Sequence, residues 1–218
     1  MTRSPARARG FTLVEMLVVI AIIGVLAGIL LPMLHSARQH TRRMRCGSNL
    51  RQVAIAMTIY LGDYGEQFPA AIHEDYDLEC ATWGQLVEPY MRRRKIFRCP
   101  ALGPTANEGV REFNYFQFFI TIPFGYNRTY LGDPDFPVAM PQVRKPAETI
   151  LAADSKNDFS ELGGRSLGWL EVYAPSEDKN EALSFRHANG ANVCFADGRL
   201  KWMEAKLVLE DDVLWDTE

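Results

Sequence analysis

The chain has 218 residues, 47% hydrophobic and 23% charged, with a formal net charge of −3. That size accommodates one apolar anchor and one globular domain of ordinary dimensions. The mildly acidic balance gives no ground for nucleic-acid binding, and there is no phosphate loop, Gly-x-Ser-x-Gly or His-Glu-x-x-His string to support nucleotide, esterase or zinc-protease chemistry.

The first ten residues carry Arg3, Arg7 and Arg9 and end in Gly10. Phe11-Thr-Leu-Val-Glu15 follows, and then an uncharged run of nineteen residues from Met16 to Leu34. At about 1.5 Å per residue that run matches the roughly 30 Å hydrocarbon core of a bilayer. An ordinary secretory signal has a shorter apolar region, about 7–15 residues, with its cleavage site behind it. Here the small residue comes first, so cleavage at Gly10 would leave the membrane segment on the mature chain. Glu15 is the anomaly: a carboxylate near a bilayer costs a few kcal/mol unless paired, which marks it as functional. Arginines flank both ends of the apolar run, with Arg38, Arg42, Arg43, Arg45 and Arg51 on the far side, so positive charge alone does not orient it.

The helix is expected to continue from His35 to about Leu61, with Leu34, Ala37, Met44, Val53, Ala54, Met57 and Tyr60 at three- and four-residue steps and polar residues opposite. Pro32 should kink it, and Gly47-Ser48-Asn49 is a second weak point. Gly62-Asp63-Tyr64-Gly65 supplies the turn that ends it. Beyond lie a short helix at Trp83–Met91, an extended piece at Lys95–Pro100 and an aromatic strand-like stretch at Phe113–Ile122. Gly125–Tyr130 is extended, Asp133–Pro137 is a loop, and Thr149–Ala153 is a buried strand closed by Asp154. Phe159–Ser166 is a loop and Gly168–Tyr173 a short strand. From Leu183 to Met203 the period-two alternation around Asn189-Gly190 and Asp197-Gly198 predicts a three-stranded antiparallel meander with tight type I′ turns.

The string Gly10-Phe11-Thr-Leu-Val-Glu15, with Pro32 late in the apolar helix, resembles the start of a type IV prepilin, the family of pilins and type II secretion pseudopilins. The resemblance implies cleavage between Gly10 and Phe11, N-methylation of Phe11, and a role for Glu15 in pairing with a neighbouring subunit's N-terminus. It also orients the chain, with the N-terminus cytoplasmic and residues after about 35 outside the inner membrane. Further strings extend the likeness: Arg42-Arg43-Met44-Arg45-Cys46, Phe97-Arg98-Cys99-Pro100, Gly125-Tyr126-Asn127, Pro146-Ala147-Glu148-Thr149, and His187 followed at the family's spacing by Asp197-Gly198. Together they are similar to a prepilin-like family with a His-x9-Asp-Gly motif and a domain of unknown function. The implied fold is α+β and pilin-like, a long N-terminal α-helix packed on a C-terminal antiparallel β-sheet domain. The implied organisation is a leader at 1–10, a transmembrane and assembly helix at 11–34, its amphipathic continuation at 35–61, and an exported globular domain at 62–218.

Few residues suggest chemistry. His187 with Asp197, joined by Asp154, is a candidate metal or acid–base site; the plainer reading is structural, the His fixing backbone and Asp197-Gly198 serving the turn. Calcium, which pseudopilin relatives bind, needs six to eight oxygens. The local carboxylates are Asp133 with Asp135 and Asp154 with Asp158, and neither pair has EF-hand spacing. Cys46, Cys80, Cys99 and Cys194 all lie beyond the membrane segment, where disulfides form, and four cysteines allow three connectivities. The family resemblance implies Cys46–Cys99; Cys194, opposite in phase to Val193 and Phe195, reads as packing. The absence of Cys-x-x-Cys argues against zinc. Phe116, Phe118, Phe119 and Trp83 read as core rather than as a ligand surface.

The expected function is that of a non-enzymatic, pilin-like structural subunit without a cofactor. Its expected partners are other pilin-like subunits, the prepilin peptidase, an assembly ATPase, a platform membrane protein and the inner membrane, with no nucleic acid. The rival readings are an anchored periplasmic binding module that does not polymerise and, more remotely, an enzyme centred on His187.

Overall fold

The structure is a computed structural model that describes residues 13–73, 81–102, 122–158, 167–168, 171–172, 183–210 and 214–215. Gly10, Phe11, Cys80, Phe116, Phe118, Phe119 and the loop at 159–166 lie outside them. The chain divides into two compact units, Met1–Gln39 and His40–Glu218.

Helix α1 runs from Leu13 to Asp63 (51 residues), with Glu15 in its first turn and Pro32 inside it. An 18-residue window of this helix reaches a mean hydropathy of 2.9, and none of that window is buried. In the second unit the helix has a sharply defined inner face: Cys46, Gly47, Leu50, Val53, Ala54, Met57, Tyr60 and Leu61 are buried at the three- and four-residue steps of an α-helix. Met44, expected on that stripe, is 59% exposed. It stands two residues before Cys46, about 200° around the helix. The helix also continues through Gly47, where a weak point was expected. A Cβ at Gly47 would lie 2.9 Å from Leu200 Cδ2 and 3.3 Å from Asn192 Oδ1, so the glycine lets the helix approach the sheet closely. The helix ends in a Schellman-type turn, with Glu66 N–H donating to Leu61 O at 2.7 Å and Gly65 at φ +63. Tyr90 Oη donates to Asp63 Oδ2 at 2.9 Å at the same end.

The main sheet has five strands: β3 (Phe124–Asn127), β4 (Ile150–Asp154), β7 (Glu171–Val172), β8 (Gly190–Phe195) and β9 (Leu200–Glu204), in the order β7-β3-β4-β8-β9. All neighbours are antiparallel except β3 and β7. This is the α+β arrangement implied by the sequence, a long helix on a largely antiparallel sheet. Two-residue pairs, β1 (Ile72–His73) with β2 (Ala81–Thr82) and β5 (Asn157–Asp158) with β6 (Leu167–Gly168), lie apart from it. Helix α2 (Trp83–Val87) continues as a 3-10 turn over Glu88–Tyr90, and Gln85 Oε1 accepts the Thr82 N–H at 2.8 Å to close its start. Arg94–Ile96 forms a 3-10 turn rather than the expected extended piece, which tucks Ile96 and Phe97 into the core. A short α3 (Ala205–Leu209) follows β9.

Hydrophobic clusters cover both faces of the sheet. On the helix side, the inner face of α1 meets Trp83, Phe97, Phe124, Tyr126, Leu151, Ala152 and Cys194. On the other side lie Ile150, Ala153, Val172, Ala191, Val193, Phe195, Val208 and Trp215. Strand β8 alternates cleanly between the two clusters. β4 does not: Ile150 pairs with Phe195 but Ala152 pairs with Cys194, so Leu151 is one residue too many and shares the helix-side cluster with Ala152. That bulge sets the phase that turns Asp154 toward the helix. Trp83 is fully buried with Phe97 and Tyr126 as ring neighbours, the core role expected of it.

The C-terminal meander needs correction. β8 and β9 form the expected hairpin, but the first strand is absent: residues 183–186 make only isolated bridges, Leu183 with Ser155 and Arg186 with Gly190. The neighbour of β8 is β4. The turn entering β8 has Ala188 at φ 55 and Asn189 at φ 58, one residue earlier than the Asn-Gly expectation. Gly190 has a different reason to be glycine: a Cβ there would come within 2.5 Å of the Trp202 ring and 2.4 Å of Met203 O. In the β8–β9 turn only Gly198 has positive φ (+81), and Phe195 N–H donates to Arg199 O. That is a three-residue loop with glycine at the left-handed position, not a type I′ turn.

Candidate functional site

Four segments far apart in sequence bring polar side chains to one point beneath α1. Cys46 comes from the helix, Cys99 from the loop after Phe97, Asp154 from the bulge-shifted end of β4, and Arg186-His187 from the turn before β8. Cys46, Cys99 and Asp154 are fully buried, and His187 is 4% exposed.

The geometry is convergent. Cys46 Sγ, Cys99 Sγ and one ring nitrogen of His187 all lie within 4.8 Å of one another. His187 Nε2 is 3.5 Å from Cys99 Sγ and 3.7 Å from Asp154 Oδ2. Cys46 Sγ donates to Asp154 Oδ1 at 3.2 Å. The carboxylate is held from outside as well. Arg186 Nη2 pairs with Oδ1 at 3.2 Å, while the Asn192 N–H and Nδ2 donate to Oδ2 at 2.7 and 2.9 Å. Arg186 also donates to the carbonyls of Ser155 and Pro123, each at 2.6 Å.

Each component is fixed by its own neighbours. Asn49 Nδ2 donates to Arg98 O at 2.7 Å, which ties the Cys99 loop to the helix one turn after Cys46. Trp202 Nε1 donates to His187 O at 2.8 Å and fixes the turn that presents the imidazole. Arg43 lies over the same indole, its Cζ 5.0 Å from the ring centroid.

Electrostatics divide the two thiols. Cys99 is lowered well below an ordinary thiol, first by the hydrogen bond from Cys46 and then, against the opposing effect of burial, by His187 and Arg186. Cys46 is raised by its contact with Cys99, by burial and by the Asp154 carboxylate beside it. Burial pushes Asp154 up, and Arg186 and His187 pull it back only in part. Burial lowers Arg186, but Asp154 and the thiols more than offset it, so its charge is secure.

The residues expected to carry chemistry are distributed differently. His187 and Asp197 stand at opposite ends of β8, so they are not a pair. The carboxylate facing His187 is Asp154. Asp197 is exposed and its Oδ1 accepts the Arg199 N–H at 2.8 Å, the turn role expected of it. Asp135 is exposed, and its own N–H is taken by Asp133 Oδ1 at 2.8 Å. Asp154 is enclosed by Arg186 and Asn192, and the side chain of Asp158 is outside the described part. Among the described residues, neither calcium candidate pair joins a group of three potential ligands. Cys46 and Cys99 are adjacent, as the resemblance implied, but no disulfide joins them. Cys194 is free and buried, pushed up to about 12 by burial.

Sequence reasoning set zinc aside for want of a Cys-x-x-Cys spacing. The structure removes that reason, since the two thiols are brought together by the fold and not by local spacing. The signals that could have pointed here are Cys46, at helical steps from Leu50 and Val53 in α1, and two polar residues, Asp154 and Asn192, in otherwise buried strands.

At the other end of the chain, Glu15 lies exposed in the first helical turn, followed by exposed Met16, Leu17, Ile20, Ile23 and Leu30. Residues 5–31 match the prokaryotic N-terminal methylation motif, and residues 35–112 match a family described as protein of unknown function (DUF1559). No curated protein and no solved structure matches the chain.

Proposed function

The chain is a prepilin-like protein with a domain of unknown function behind its methylation motif, and from that premise we propose that it is a structural subunit assembled through its N-terminal helix. The observation that carries this reading is the junction itself, where a methylation motif leads into a membrane-length apolar helix with one carboxylate, Glu15, in its first turn. The prepilin peptidase cleaves after Gly10 and methylates Phe11. The apolar half of α1 anchors the subunit in the inner membrane, N-terminus cytoplasmic, and then packs against other subunits as they enter a pilus or a secretion pseudopilus. A carboxylate in an apolar bundle is stabilised only by a matching positive group, and the N-methylated terminus of the next subunit supplies one, so Glu15 sets axial register. The domain from residue 40 onward faces the periplasm or the outer surface of the fibre.

The reading supports a task of position rather than turnover. A Cys–His–Asp hydrolytic triad uses the two ring nitrogens for two partners. Here Nε2 alone faces both Cys99 and Asp154, and the thiol is buried.

Intact mass spectrometry of the protein from membranes of a host with the prepilin peptidase tests the proposal. A chain beginning at Phe11 with one added methyl group is expected. A chain still beginning at Met1 in that host would remove its main support and leave the anchored, non-polymerising binding module.

A further inference from the structure

We propose that Cys46, Cys99 and His187 bind a single thiophilic divalent cation, zinc by preference, with the Asp154 carboxylate beside the three ligands as their charged neighbour. The site is independent of assembly: it concerns how the exported domain is held together.

The distances suit the ion. With zinc–sulfur bonds of about 2.3 Å and zinc–nitrogen bonds of about 2.0–2.1 Å, a tetrahedral site has sulfur–nitrogen edges of about 3.5 Å. The Cys99 Sγ to His187 Nε2 separation is 3.5 Å, and Cys46 Sγ lies within 4.8 Å of both. Asp154 stands against this group, with Oδ1 3.2 Å from Cys46 Sγ and Oδ2 3.7 Å from His187 Nε2, and only the two sulfurs and the ring nitrogen converge on one another. A disulfide would account for the two sulfurs but gives no reason for the imidazole nitrogen to face the same point.

The charges suit it too. As the ion enters, any proton still on either sulfur passes to solvent, so both bind as thiolates. Two thiolates and one carboxylate are then balanced by the dication and Arg186, with His187 neutral, and no net charge is buried. The outer contacts resemble those that orient ligands elsewhere: Asn192 and Arg186 hold the carboxylate, Asn49 holds the Cys99 loop through Arg98 O, and Trp202 holds the His187 turn. Buried, and with its ligands drawn from three separate segments of the chain, the ion would act as a cross-link. It fastens α1 to the Cys99 loop and to the turn before β8, in the place where the resemblance implies a disulfide.

The test is the metal content of the full chain, extracted in detergent under reducing conditions without chelator and supplied with zinc. About one zinc per chain is expected, falling below about a tenth of that in Cys46→Ser and Cys99→Ser, weakened at least about tenfold in Asp154→Asn, and unchanged in Asp197→Asn. Replacement by cobalt should give the intense visible absorption of a tetrahedral thiolate site. The wild-type chain carries the test without any variant: zinc should raise the unfolding midpoint of the full chain in urea, and a chelator should reverse the rise. A chain that takes up no zinc, zinc that persists when both Cys46 and Cys99 are replaced, or a peptide map showing a Cys46–Cys99 disulfide in protein from the native host would each overturn the proposal.

Discussion

Asp154 and Asn192 meet twice across the β4–β8 pair, the Asn192 main-chain N–H and its side-chain Nδ2 both donating to the same carboxylate oxygen at 2.7 and 2.9 Å. The other oxygen is left for Arg186 and Cys46. The pair therefore decides which way the carboxylate faces, and through it what stands around His187.

Replacing Asp154 by Asn removes the counter-charge of Arg186, whose side chain is 12% exposed. Orphaning a buried charge costs about 3–5 kcal/mol. The low end, about 3 kcal/mol, is expected because Arg186 keeps two carbonyl partners. Urea unfolding of the full chain in detergent, with chelator present so that no ion contributes, reads the difference.

Gly190→Ala forces a methyl group into the Trp202 ring and the Met203 carbonyl, and neither can retreat without moving β9. Overpacking of this kind costs about 1–3 kcal/mol. Loss of the midpoint in the same unfolding experiment measures it, and restored stability in Gly190→Ala with Trp202→Leu would identify the ring as the obstacle.

Tyr90 is pushed up to about 12 by its hydrogen bond to Asp63, from an ordinary value of 10.0. The folded state thus holds this proton more tightly than the unfolded chain does. The contribution is fully present below pH 10.0 and is lost as pH rises through about 12. In an ultraviolet titration, Asp63→Asn should bring the tyrosinate absorbance of Tyr90 to lower pH, with Tyr90→Phe as the blank.

Cys194 lies in the helix-side core with only Phe195 O as a weak acceptor at 3.7 Å, and burial pushes its thiol up to about 12. Native labelling by N-ethylmaleimide at pH 8 should spare it, and labelling in urea should reach it. Mass spectrometry of the labelled peptides reads both.

Glu15→Ala should leave the domain's unfolding midpoint unchanged and abolish or sharply reduce incorporation into filaments. Isolation of filaments from a native host carrying the variant tests this, and normal filaments would remove Glu15 from the assembly mechanism.

Much of the fold was legible because it rests on local periodicity. The 3.6-residue stripe of α1, the buried run closed by Asp154 and the alternation of β8 each follow from residues within one segment. The turns were less legible: Asn189-Gly190 pointed to a type I′ turn, but Gly190 is small to admit Trp202, twelve residues on, and nothing local announces that contact. The site was the least legible part. Cys46 and Asp154 are 108 residues apart and Cys99 and His187 are 88 apart, so no spacing rule joins them. Asp154 was named as a companion to the His187–Asp197 pair, whereas it is the carboxylate that faces His187, and Asp197, ten residues along the chain, is not. The bulge at Leu151, which sets the facing of Asp154, arises from pairing with β8 and has no signature in β4 alone.

The upper part of α1 is also the middle of the domain's own core. Leu50, Val53, Met57 and Tyr60 are buried among Trp83, Phe97, Tyr126 and Cys194, so this stretch is a structural member of the part that follows it. A soluble derivative obtained by cutting the chain after the helix would be an open trough lined with apolar side chains and would aggregate. One beginning at His40 keeps the lid on. The same dependence imposes an order on folding: the helix-side face of the sheet stays uncovered until residues 46–61 of α1 have settled against it.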